Sequence, residues 1–115
     1  LQANGNKPVA FGGEKIMKAI DNVFISANDE ETVVYSLLKN IPVLNIYIIF
    51  ADENGKIEIM KSSAFFKLAD FEQMTVLGIA EGKYNAYEVI REMFDYSVKK
   101  GWDADETGIR LMKEE

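Results

Sequence analysis

Apolar and polar residues alternate most regularly between Val43 and Lys61, VLNIYIIFADENGKIEIMK, where two β-rich runs flank Asn54-Gly55. Period-two alternation marks a strand, and an Asn-Gly pair between two such runs predicts a hairpin closed by a two-residue type I′ turn. That turn sets a register in which Glu53 faces Lys56, Asp52 faces Ile57, Ala51 faces Glu58, Phe50 faces Ile59 and Ile49 faces Met60. Leu44, Ile46, Ile48, Phe50, Ile57 and Ile59 then share one side of the pleat as core. The other side carries Val43, Asn45, Tyr47, Ile49, Ala51, Lys56, Glu58 and Met60, a set too apolar for the wet face of an antiparallel sheet. Something covers it, either the chain's own helices or a partner.

Around this hairpin the apolar period lengthens. From Glu14, the spacing of Ile16, Met17, Ile20, Val23 and Phe24 predicts an amphipathic helix to about Ile25. Asn28 to Ile41 holds both signals, β-branched at Thr32 to Val34 but helically spaced at Val33, Val34, Leu37, Leu38 and Ile41. Capping by Asn28 or Asp29, acids at Glu30 and Glu31 and a stop at Pro42 favour helix. Ser62-Ser63 open a short helix to about Asp70 that buries Phe65, Leu68 and Ala69, and the apolar run Thr75 to Ala80 predicts a third strand beside the hairpin. The last long helix is capped at Asn85, with Glu88 as capping-box partner. It presents Ala86, Val89, Ile90, Met93, Phe94 and Ser97 as one stripe and ends at Lys99, Lys100 and Gly101.

These elements define an α+β domain with a three-stranded antiparallel sheet built on the central hairpin and helices mainly on one face; a sheet covered on both faces is the alternative. Residues 1–12 read as a flexible N-terminal segment in which Pro8 to Phe11 could add a fourth, edge strand, and 13–115 as one domain. With 48% hydrophobic residues, 115 residues suffice for one core without cross-links.

Composition narrows the chemistry. The sequence has neither cysteine nor histidine, which removes thiol and imidazole nucleophile pairs and the usual zinc ligands. Its net charge of −6, from 19 acidic and 13 basic residues, opposes a nucleic-acid backbone. No stretch is apolar enough for a membrane span and no secretory leader is evident, so the default expectation is cytoplasmic; the chain begins at Leu1, which leaves an upstream segment open.

Two segments imitate binding motifs. Gly78 to Asn85, GIAEGKYN, lies between strand and helix, but Leu77 and Tyr84 stand where a phosphate loop requires glycine and serine or threonine. Asp103, Asp105, Thr107, Gly108 and Glu114 match calcium-loop positions, yet Arg110 replaces the usual aliphatic residue and no exiting helix can follow within the chain. The simpler reading is a terminal helix capped at Asp103 and Glu106 and docked by Trp102, Ile109 and Met112. No catalytic, cofactor or metal residues are assigned.

The remaining feature is the hairpin's second face. Exposed apolar patches rimmed by polar groups mark interaction sites, so Val43, Tyr47, Ile49, Glu58 and Met60 form the candidate interface of a non-catalytic binding or regulatory module, with a homodimer as the simplest assembly. The hairpin with its turn DENGK also resembles those of PAS-like and profilin-like sensory domains, over that one hairpin. This resemblance implies a small-molecule ligand between sheet and helices. A carboxylate-based enzyme is the third expectation.

Overall fold

The computed structural model describes residues 17–113, and the expectations for residues 1–12 lie outside them. A four-stranded sheet of order β1-β4-β2-β3 is formed by β1 (Lys18–Ser26), β2 (Ile46–Ala51), β3 (Ile57–Lys61) and β4 (Thr75–Glu81). Four helices accompany it, α1 (Glu30–Leu38), α2 (Ser62–Phe65), α3 (Lys83–Lys100) and α4 (Thr107–Lys113). The α+β class and a sheet centred on the hairpin are as expected. Two particulars are corrected. The sheet is mixed, because β1 runs parallel to β4 while β2 is antiparallel to both β3 and β4, and helices cover both faces.

Each face has its own core. Ile46, Ile48 and Phe50 of β2 join Val76 and Ile79 of β4 beneath Val33 and Leu37 of α1 and Phe65 of α2. Phe65 makes tilted or edge contacts with Phe50, Phe66 and Phe71 at centroid distances of 5.0, 5.4 and 5.8 Å, so one ring organises the aromatic part of this layer. On the opposite face Ile49, Ala51, Leu77 and Ala80 meet Ala86, Val89 and Met93 of α3 and Leu111 of α4. Of the predicted α3 stripe, Ala86, Val89, Met93 and Ser97 are buried and Ile90 packs beside them. The start of the helix differs: Gly82 is the cap residue, and Asn85 sits inside the first turn, where its amide donates back to the Glu81 carbonyl at 2.8 Å.

The segment expected as the first helix is the edge strand β1, an assignment tertiary pairing decides. Its pairing passes from Ala19↔Val76 to Phe24↔Gly78, five steps along β1 against two along β4, so Ile20 to Val23 bulge out of the ladder. That excursion resets the alternation, and with Ala19, Val23 and Ile25 on one core and Ile20 and Phe24 on the other the apolar positions mimic a helical spacing. β4 carries a smaller irregularity opposite Ile49/Phe50.

The second helix is present but shorter. Asp29 caps α1, its side chain accepting the Thr32 amide at 3.3 Å. Expected to run to about Asp70, α2 stops at Phe65 and a separate 3-10 turn follows at Phe71–Gln73. Ser62 does not cap it; its hydroxyl bridges the Val43 amide and carbonyl, both at 2.9 Å, and ties α2 to the entrance of β2. Leu44, expected in the core, lies in the turn before β2 and is 94% exposed.

At the far end the hairpin turn is held against α4. A methyl group added to Gly108 would lie 2.0 Å from the Gly55 carbonyl oxygen, so the two backbones touch only because residue 108 has no side chain. Replacing Gly108 by alanine is expected to lower unfolding stability by about 3 kcal/mol through this overlap. Gly101→Ala, where the new methyl meets nothing within 4 Å but φ is +79°, is expected to lose only about 1 kcal/mol. Urea denaturation of the two variants measures both, and equal losses would argue against the close approach.

Candidate functional site

The hairpin turn is built by Asp52. Its carboxylate accepts the amides of Asn54 and Lys56, each at 2.9 Å, while its carbonyl accepts the Gly55 amide at 2.9 Å and its own amide donates to the Lys56 carbonyl at 3.0 Å. Among residues 53–55 only Gly55, at φ +85°, has a positive φ, so the loop has three residues and not the expected two. The register shifts by one: Ala51 pairs with Ile57, Phe50 with Glu58, Ile49 with Ile59, Ile48 with Met60 and Tyr47 with Lys61. A one-residue slip turns every side chain of β3 over. Ile57 and Ile59 thus join the α3 face, and Met60 joins the α1 face.

This register disperses the candidate interface of Val43, Tyr47, Ile49, Glu58 and Met60. Ile49 is fully buried beneath α3 and half-buried Tyr47 packs on the same side. Val43 and Met60 pack on the opposite core. Glu58 lies on that opposite face too, across from Phe50, with Lys56 3.9 Å from its carboxylate. The apolar second face of the hairpin is covered by the chain's own α3 and α4.

What the hairpin leaves open is its edge. Bonds alternate along an antiparallel ladder, so with Asp52 and Lys56 bonded, the next bonded pairs are Phe50/Glu58 and Ile48/Met60. The amides and carbonyls of Ile57 and Ile59, and the amide of Lys61, therefore point away from β2. β3 is an outer strand of the sheet and these groups meet no partner among the described residues. The other outer strand, β1, is interrupted by its bulge, so β3 is the straight edge. No periodicity signals this, because strand order depends on pairing with β4, far along the chain.

A second feature is a cleft of about 540 Å³ beside the β1 bulge, lined by Ile20 to Phe24, Tyr96, Lys100 and Leu111. Tyr96 stands edge-on to Phe24 and to Trp102, at 6.0 and 5.8 Å, and the Lys100 ammonium lies 5.4 Å from its ring centre. Elsewhere on α3 the Arg91 guanidinium, hydrogen-bonded to the Glu88 carboxylate, is raised above its ordinary pKa by that bond and charge.

The motif-like segments serve packing. Gly78 admits Val89 of α3, whose Cγ1 would lie 2.8 Å from an added methyl. Asp105 is in a 3-10 turn and Thr107 and Gly108 in α4, with the buried Thr107 hydroxyl bonded to Ser97 Oγ at 2.8 Å, so these residues do not form a calcium loop; Glu114 lies outside the described residues. No described helix is long and apolar enough to cross a membrane.

The chain matches no protein-family model, and no curated protein or solved structure proved similar to it.

Truncation separates the two kinds of hairpin residue. Ile49→Ala is expected to destabilise the fold by about 3 kcal/mol, as a fully buried side chain does, and Glu58→Ala by less than about 0.5 kcal/mol. Thermal unfolding of both variants would reveal an error in the register if Glu58→Ala proved the more damaging.

Proposed function

We propose that this domain is a non-catalytic binding module that engages other protein through the open edge of its hairpin. The observation that carries the reading is the set of outward amides and carbonyls on β3. Such a row is a template for an added strand: main-chain bonds supply affinity and side chains alternating about the strand supply selectivity. Ile57 and Ile59 lie on one side of the strand with Lys61 at their end, and Lys56 and Glu58 on the other, so an arriving strand meets an apolar pair on one side and charge on the other. A sequence without histidine or cysteine agrees with a binding role.

Lys61 provides a clean test. It is exposed, its amide points outward and its φ of −60° already suits proline. Lys61→Pro is expected to keep the melting temperature within a few degrees while removing one edge donor. Displayed random twelve-residue peptides selected on the wild-type domain should lose at least tenfold in affinity for the variant. Full retention by every selected peptide would place binding elsewhere.

The cleft beside β1 supports a second reading, a small-molecule sensor. Its volume falls within the range of ligand pockets, and Asp21, Asn22 and Lys100 stand among apolar lining residues where they could orient a polar ligand. A metabolite screen by thermal shift checks this: a true ligand at 100 times its dissociation constant stabilises by about 2.7 kcal/mol, and a bulky Ile20→Trp should abolish the shift. A shift that survives Ile20→Trp would rule out the cleft.

A further inference from the structure

We infer that the strand the β3 edge takes is β3 of a second copy, paired antiparallel about a two-fold axis through Ile59; this rests on the edge-binding reading above. Only residues whose backbone groups point outward can bond across the edge, which restricts the bonded pairs to Ile57, Ile59 and Lys61. The symmetric registers built from them differ in what they bring together. Centring the axis on Glu58 places the two Glu58 carboxylates opposite each other, and centring it on Lys61 does the same for two ammonium groups, both unfavourable. Centring on Met60 sets Glu58 against Ser62, where α2 has already begun, and centring on Ile57 pairs the strand with its own turn.

The axis through Ile59 has none of these conflicts. Ile59 meets Ile59 of the second copy and exchanges two bonds with it, each Lys61 amide reaches an Ile57 carbonyl, and Glu58 lies beside Met60. The whole strand from Ile57 to Lys61 is paired, and two four-stranded sheets become one. The Lys61 carbonyl takes no part, because as the residue capping α2 it accepts that helix's first bond. Opposite Ile57, the long Lys61 side chain can lay its methylenes over an apolar neighbour and keep its ammonium in water. The interface is isologous: one short strand serves both partners.

The absence of cysteine makes the register directly measurable. Across a bonded antiparallel pair the Cα atoms lie about 5.5 Å apart, within disulfide reach, so Ile59→Cys should cross-link quantitatively to twice the 13.0 kDa chain mass under mild oxidation. Lys61→Cys should not, because the two positions are four residues apart along the paired strands, about 13 Å. Sedimentation equilibrium of the unmodified chain should show a mass rising towards the dimer over micromolar concentrations, and Lys61→Pro should weaken that association at least tenfold. A monomer at all concentrations overturns the self-pairing. So does a dimer in which Lys61→Cys cross-links as readily as Ile59→Cys. If the self-pairing fails while Lys61→Pro still discriminates selected peptides, the edge serves a different protein; if both tests fail, the edge reading falls with it.

Discussion

The structure depends on a strand buried on both faces. β2 lies between β4 and β3, its odd-numbered residues turned to β4 and Ile48 and Phe50 to β3, while the Ile46 amide donates to the Val43 carbonyl in the preceding turn at 3.2 Å. Its side chains divide equally between two cores. Ile46, Ile48 and Phe50 support the layer of α1 and α2, and Tyr47, Ile49 and Ala51 support that of α3 and α4. Each large side chain so buried contributes roughly 1.5–3 kcal/mol, and β4 beside it adds Val76 and Ile79 to the first layer and Leu77 and Ala80 to the second.

The turn at Asp52 transmits this constraint to β3. Its carboxylate gathers two amides, Gly55 takes the positive φ alone, and the loop acquires a third residue. With a two-residue turn Ile57 and Ile59 would lie over the α1 side and leave Ile49 without their company; with three they complete the α3 side. The contact of Gly55 with Gly108 then fastens the turn to α4. Register, turn and terminal helix therefore stand together, and the same register determines which groups of β3 face outward.

Those groups connect the fold to its proposed role. The apolar surface of the hairpin is consumed by the chain's own helices, so the proposed role rests on the outward backbone groups of its edge strand. In that proposed role recognition is directional, and the charges of Glu58 and Lys61 would select among registers where the backbone alone would not. The bulged β1 shows the contrasting treatment of an edge: its excursion breaks the ladder and opens a cleft instead of a strand-binding surface.

Much of the local structure was legible in the residues themselves. The hairpin, α1 with its Asp29 cap, β4, and the α3 stripe from Ala86 to Ser97 ending at a left-handed Gly101 follow from periodicity, capping and turn chemistry, which act within a few residues. The candidate site was not. Val43, Tyr47, Ile49, Glu58 and Met60 were grouped by a register that hinged on whether the Asp52 carboxylate would add its two bonds to the Asn-Gly turn, each worth about 1 kcal/mol and thus comparable to packing differences. The helical spacing from Met17 to Phe24 likewise misled, because a bulged strand buried on both faces carries no simple period. Only pairing with β4, more than 50 residues further along, decides that this segment is a strand, that the sheet is mixed, and that β3 is left at its margin. The sequence by itself determined which segments could form elements; the tertiary structure alone decided which faces they bury and which edge remains open, since both depend on contacts between residues distant in the chain.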